Sequence, residues 1–291
     1  MAIRQRDPLT GHETTGHEWA GITEINTRVP WLVWFFIAVS HIWALVYRVL
    51  MPAIPLVTNY TRGLLGYDPR GRAEADVVEA EAVRAPWTDR VEVLPVADLR
   101  ADPDLMPMVN QAAPALFGDN CAACHGQQAQ GAWGFPSLAD GDWLWGTEPE
   151  AILETLRVGI NSTHPEARYS QIQAFDRDGI LSRPEVLAVV DHVRSPSGAA
   201  DAAPDRRAAG AELFAANCAT WHGEEGEGNQ ELGAPNLSDG VWLYGGRFEE
   251  VYDTVWNGRQ GWMPQWEGRL SPVERKVLAA WLLDRGGERA P

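Results

Sequence analysis

Asn120-Cys121-Ala122-Ala123-Cys124-His125-Gly126 leaves little freedom in what can surround it. Two thiols separated by two residues and followed directly by an imidazole form the attachment signature of c-type haem. Both sulfurs bond porphyrin vinyl groups and the histidine takes the iron. A zinc site would need a second Cys or His pair at ligand spacing, and none follows. The pattern nearly recurs at Leu213-Phe214-Ala215-Ala216-Asn217-Cys218-Ala219-Thr220-Trp221-His222-Gly223, which echoes Leu116 to Gly126 but carries Trp221 where the second cysteine would stand.

The recurrence extends well past the motif. At an offset of 97, Cys121, His125, Gly126 and Gly131 fall on Cys218, His222, Gly223 and Gly228; at 99, Pro136, Leu138, Asp140, Gly141, Trp143, Leu144 and Gly146 fall on Pro235, Leu237, Asp239, Gly240, Trp242, Leu243 and Gly245. One duplicated fold explains this. Each copy opens with a helical pattern ending at cysteine and closes with an amphipathic helix, at 183–193 and 272–283. In the second of these Val273, Val277, Leu278, Trp281 and Leu282 keep the three-and-four spacing of a half-buried helix. The expected fold is therefore mainly α, with two tandem cytochrome c-like domains at 108–195 and 205–291 joined by a small-residue linker at 195–204.

Residues 31–47 are uncharged and rich in aromatic and aliphatic side chains. The segment 29–50 is long enough to cross a bilayer as one helix. Aromatic residues near both ends suit the interfacial belts, and Arg48 can snorkel to the interface. For a cleaved signal peptide the run is too long and starts too late, and no Ala-x-Ala-like site follows it. An uncleaved transmembrane anchor is expected at 29–57, ended by Pro52 and Pro55. Residues 1–28 read as a polar tail, and 58–107 as a connector made of an amphipathic stretch and a loop. Because c-type haem is attached on the periplasmic side in bacteria, the tail is expected in the cytoplasm and both haem regions in the periplasm. His41, inside the span, is expected to be neutral and packed against a neighbouring helix.

A length of 291 residues suits two domains of about 100 residues plus extras. The formal charge of −16 argues against nucleic acid, whose phosphates would be repelled, and suits both solubility and basic partners. Three cysteines cannot build a disulfide framework. Nothing in the chain resembles a hydrolase triad, a phosphate-binding glycine loop or a nucleotide fold.

Several further stretches join these signals: Gly63-Leu64-Leu65-Gly66-Tyr67, Asp142-Trp143-Leu144-Trp145-Gly146, Arg177-Asp178-Gly179-Ile180-Leu181, Gly233-Ala234-Pro235-Asn236-Leu237 and Trp242-Leu243-Tyr244-Gly245. Together, from about Ile22 onward, the chain resembles the dihaem membrane-anchored cytochrome c subunit of cbb3-type cytochrome c oxidases, subunit III (CcoP or FixP). The resemblance implies a single-pass protein of the bacterial inner membrane carrying two haem c groups. It implies a non-catalytic electron-transfer subunit of a proton-pumping terminal oxidase in microaerobic respiration. Electrons would pass from cytochrome c donors toward a monohaem subunit and then the dioxygen-reducing catalytic subunit.

An electron-transfer haem is served by two strong axial ligands. Cys121, Cys124 and His125 supply the first attachment site, and Cys218 and His222 the second. Met263, in Gly261-Trp262-Met263-Pro264, matches the family's distal methionine and in chain order serves His222; the alternative is a core gap-filler. In the first domain the family's methionine position is Ile172, in Ile172-Gln173-Ala174-Phe175, and isoleucine cannot ligate. The ungapped offset of 99 sets His164 against Met263, so the sixth ligand of the first haem is His164, or the Ile172 position leaves the iron five-coordinate; Met106 and Met108 are weaker candidates. At Trp221 the alternatives are a single thioether through Cys218 or no second haem. Along the chain, these two departures lie in different domains. Trp143, Trp145, Trp242 and Tyr244 are expected to wall the crevices, and Arg157, Arg247 and Arg259 are candidates for pairing with haem propionates. His12, His17 and His192 read as solvated or capping residues. Two other functions remain open from the residues alone: a haem-based gas sensor with an open position at Ile172, and the cytochrome subunit of a periplasmic dehydrogenase.

Overall fold

The computed structural model describes residues 5–195 and 204–286, so all but the two end residues of the expected linker lie outside the described residues. The chain forms two compact units, residues 1–82 and 83–291.

In the first unit, part of the expected polar tail is an antiparallel hairpin of β1 (Thr14–Trp19) and β2 (Ile22–Ile25), with Trp19 opposite Ile22 and Thr14 opposite Ile25. Ala20 and Gly21 between them both have positive φ, 50° and 84°. That combination matches the twist of a two-residue hairpin turn. Helix α1 (Trp31–Leu50) follows, with no residue buried within the chain. Its 20 residues rise about 30 Å, the thickness of a bilayer's hydrocarbon core. Within α1, His41 Nδ1 donates to the Ile37 carbonyl at 2.7 Å, so its polar group is partly satisfied inside the helix. The sequence after α1 closes back on it. Leu64 and Leu65 donate to the Val49 and Leu50 carbonyls at 2.9 and 3.0 Å, pairing two acceptors that the helix end would leave orphaned. Gly63 is required for this approach: it has φ +68°, and a Cβ there would lie 2.4 Å from the Leu50 oxygen.

Helix α2 (Pro69–Val93) is one continuous element where an amphipathic stretch and a loop were expected, and it buries only Val91. The second unit then contains α3 (Val96–Ala101), α4 (Met106–Asn120), α5 (Ala122–His125), α6 (Pro149–Val158), α7 (Arg183–Arg194), α8 (Pro204–Asn217), α9 (Ala219–His222), α10 (Phe248–Asn257) and α11 (Pro272–Gly286). Their packing does not follow chain order. Helix α11 packs on α3, α4 and α6, whereas α7 packs on α8 and α10. The closing helix of each repeat thus completes the core of the other. Two separate apolar cores result. One joins Leu99, Val109, Phe117, Ile152 and Leu156 to Leu278, Trp281 and Leu282; the other joins Val186, Val189, Val190 and Val193 to Phe214 and Val251. Each fully buried Leu or Val contributes about 1.5–3 kcal/mol.

The same local chemistry starts both exchanged helices. Ser182 and Glu185 form a capping box on α7, and on α11 the Ser271 N–H donates to Glu274 at 2.7 Å while the Glu274 N–H donates to Ser271 Oγ at 3.2 Å. The partners are also matched. Phe117 on α4 meets Trp281 on α11 with ring centroids 5.1 Å apart, and Phe214 on α8 meets His192 on α7 at 5.3 Å. Lys276 anchors α11 further by donating to the carbonyls of Val91, Glu92 and Leu94 at 3.2, 2.6 and 2.8 Å, at the negative end of α2.

Candidate functional site

Each haem-attachment motif sits at the end of a helix that stops at its first cysteine. Cys121 caps α4 and the four-residue α5 carries Cys124 and His125; Cys218 caps the matching helix α8, and α9 carries Trp221 and His222. The turn brings each cysteine's carbonyl onto its histidine's N–H, at 3.0 Å in both copies. His125 Nδ1 lies 2.9 Å from the Pro136 carbonyl, and His222 Nδ1 lies 3.0 Å from the Pro235 carbonyl. A carbonyl only accepts, so in each ring Nδ1 carries the proton and Nε2 keeps a free lone pair. Burial pushes both imidazoles below the usual histidine range, against the opposing pull of those carbonyls. A buried, neutral imidazole oriented through its other nitrogen is the state in which histidine ligates a metal. Burial also pushes the Cys121 and Cys218 thiols up to about 11, with the neighbouring Cys124 adding to the effect at Cys121. Both stay protonated.

The sixth-position candidates arrive from the exchanged segments. Ile160 and Met263 exchange backbone hydrogen bonds at 3.0 and 2.9 Å; Ile172 and Arg259 do the same at 2.8 and 3.0 Å. Trp266 donates to Leu156, and Phe175 to Val255, at 2.9 and 3.1 Å. These contacts are pairwise equivalent across the repeat: Leu156, Ile160, Ile172 and Phe175 correspond to Val255, Arg259, Met263 and Trp266. Ile172, rather than His164, is therefore the counterpart of Met263. The repeat is shorter after the crossing, which an ungapped offset misses.

The crossing also changes which core each residue joins. Met263 packs, with Cys121, against the core built on Phe117 and Trp281, whereas chain order had set it with His222. Ile172 packs with Cys218 against the other core and lines the cavity that also holds His222 and Trp221. The two departures from the motif, read along the chain as lying in different domains, fall in a single crevice. Cys121 and Met263 pack on the first core, and the turn that starts at Cys121 carries Cys124 and His125 on α5.

His164 has both ring nitrogens engaged: Nε2 donates to Glu267 at 2.8 Å and Nδ1 accepts the Glu166 N–H at 3.0 Å. Of the aromatic residues, Trp143 packs on the first core, while Trp242 and Tyr244 line the His222 cavity. The arginines singled out in the sequence already hold carboxylates. Arg157 pairs with Glu154 and Glu166, Arg247 with Glu250, and Arg259 with Asp253. Sequence reasoning missed Arg168. Its guanidinium lies 4.6 Å over the Trp145 ring and donates to the Ala151 carbonyl, and its Nε is buried without a partner, alone in this among the described residues. Such a group calls for an anion that the chain itself does not supply.

This arrangement tests well against haem in the first crevice. Two thiols and an oriented imidazole lie on one turn, the Met263 thioether packs on the same core as Cys121, and the unpartnered Arg168 Nε suits an anion such as a propionate. The second crevice fits only in part, with one thiol and one imidazole.

Comparison with known proteins gives three family matches. Residues 11–58 match the N-terminal domain of cytochrome oxidase-cbb3, FixP; residues 111–197 match cytochrome c; and residues 205–282 match cytochrome C oxidase, cbb3-type, subunit III. The chain is 42% identical over 283 residues to the cbb3-type cytochrome c oxidase subunit FixP of Bradyrhizobium sp. (strain ORS 278), covering 97% of both chains. It is 44% identical to the FixP subunit of Azorhizobium caulinodans, covering 97% of this chain and 95% of that one, and 40% identical to the CcoP subunit of Azospirillum sp. (strain B510), covering 99% of both.

Proposed function

Because this chain belongs to the FixP/CcoP subunits of cbb3-type cytochrome c oxidases, we propose that it relays electrons within that oxidase through haem held in the first crevice, without itself acting on dioxygen. The observation that carries this reading is the packing of Met263 on the same apolar core as Cys121, the residue that opens the turn carrying Cys124 and His125. Haem c, when bound, supplies an iron that changes by one electron between ferrous and ferric.

The residues of the chain set the conditions for that change. The Cys121 and Cys124 thiols tether the group, so it stays with the protein in the periplasm. His125, fixed through Nδ1 by the Pro136 carbonyl, would hold the iron through Nε2, and Met263 would hold it through its sulfur. Filling both positions excludes other ligands, and a His/Met pair raises the potential. Trp143, held by its indole N–H to the Asp140 carbonyl at 2.9 Å, keeps water from the wall. Arg168, whose Nε is buried without a partner, would hold a propionate. Helix α1 anchors the chain in the inner membrane, with both crevices on the periplasmic side. The partners are the catalytic and monohaem subunits of the oxidase and a cytochrome c donor. Asp140, Asp142, Asp239 and Glu227 line a groove between the two repeats, which suits a donor with a basic face. Burial, with Asp239 and Asp140 nearby, raises the Asp142 carboxyl above its usual range, as expected where carboxylates crowd.

Nearly full-length similarity to oxidase subunits supports this reading over a gas sensor or a dehydrogenase cytochrome. The test is reconstitution of the oxidase with Met263→Leu. Slowed oxidation of reduced cytochrome c with subunit assembly intact is the expected result; unchanged turnover would remove Met263 from the relay.

A further inference from the structure

Both departures from the haem-binding pattern converge on the crevice beside His222. Its cavity measures about 360 Å3, within the range of ligand pockets. Trp221 borders this space and is 38% exposed. Cys218 and His222 are the thiol and imidazole among the lining residues, and no methionine lies among them. Ile172 stands where the equivalent backbone pairing puts Met263 in the first crevice, and a saturated hydrocarbon has no lone pair to offer. Phe175, Val189, Val193 and Phe214 extend the same apolar wall. Tyr169 and Gln171 also border the cavity, the Tyr169 hydroxyl donating to Gln171 at 2.6 Å.

We propose that this second crevice holds a haem tethered only through Cys218 and ligated only by His222, and that its Ile172 side takes a neutral diatomic ligand such as carbon monoxide or nitric oxide. This goes beyond the relay through the first crevice and rests on the same reading of each repeat as a haem crevice. Attachment is an addition: the Cys218 S–H bond and one vinyl π bond break, while one C–S and one C–H bond form, with no net change in electrons. The other vinyl stays unreacted because the indole at position 221 has no thiol.

The test uses the full chain purified in detergent. A pyridine haemochrome assay with mapping of haem-bearing peptides is expected to give two haems per chain, one of them with its α band displaced to longer wavelength. The ferrous chain is expected to take up one carbon monoxide per chain. Ile172→Met should lower that uptake at least tenfold with the haem count unchanged, while Ile172→Leu, a size control, keeps it. Trp221→Cys should return the displaced band. Haem on the Cys121/Cys124 peptide alone overturns the proposal, as does absence of carbon monoxide uptake or uptake that survives Ile172→Met. Absence of haem from the Cys121/Cys124 peptide instead sinks the electron-relay reading, so the two failures are distinguishable.

Discussion

Met263 and Ile160 exchange a reciprocal pair of backbone hydrogen bonds, at 3.0 and 2.9 Å, across the point where the two repeats cross. Arg259 and Ile172 form the equivalent pair at the same crossing. Each pair fixes the register of a segment that leaves one core and enters the other. Register decides packing here, because it determines which side chain joins which core.

Met263→Leu removes the sulfur from the first crevice while keeping the side chain apolar. With the second crevice already open, carbon monoxide uptake by the ferrous chain rises from one to two per chain and haem content stays constant. Titration of the ferrous spectrum with carbon monoxide measures this. An uptake that stays at one would separate Met263 from His125.

Trp281 lies late in the chain but supports the core containing Cys121, through its contact with Phe117. Trp281→Ala is expected to cost about 3–5 kcal/mol of stability in that core. Hydrogen exchange would show protection lost in α3, α4 and α6 and kept in α8 and α10. The reverse pattern would contradict the exchange of closing helices.

Gly210 on α8 lets α7 approach so closely that a Cβ would sit 2.0 Å from the Ala188 carbonyl oxygen. Gly210→Ala therefore forces the two helices apart, at a cost of about 1–3 kcal/mol. A lowered denaturant midpoint for the core containing Phe214 checks this, with the Phe117 core unchanged.

Glu185 accepts from Ser182 at the start of α7, and those hydrogen bonds hold its carboxyl below the usual value of 4.5. Because the folded-state pKa is depressed, the stabilisation is present above the ordinary glutamate range and fades as pH falls through the folded value. Glu185→Ala should thus lower the melting temperature at neutral pH, and the gap to the unaltered chain should close in acid. A gap independent of pH would mean that the carboxylate charge plays no part in the cap.

The amino-acid sequence alone determined what is local or strictly periodic. The Cys-x-x-Cys-His turn, the apolar length of α1 and the Ser-x-x-Glu starts of α7 and α11 each depend on neighbours a few residues away, so their chemistry is complete within one short stretch. The hairpin at Ala20-Gly21 was equally local but was hidden by weak alternation in a charged segment. Only the tertiary structure decided that α7 and α11 change places, that Met263 packs on the first core and that Ile172 shares a cavity with Trp221. The physical reason is that two similar repeats present interchangeable apolar faces. An amphipathic helix records that it must be buried but not against which copy, and that choice is made by distant pairings such as Ile160 with Met263 and Phe117 with Trp281.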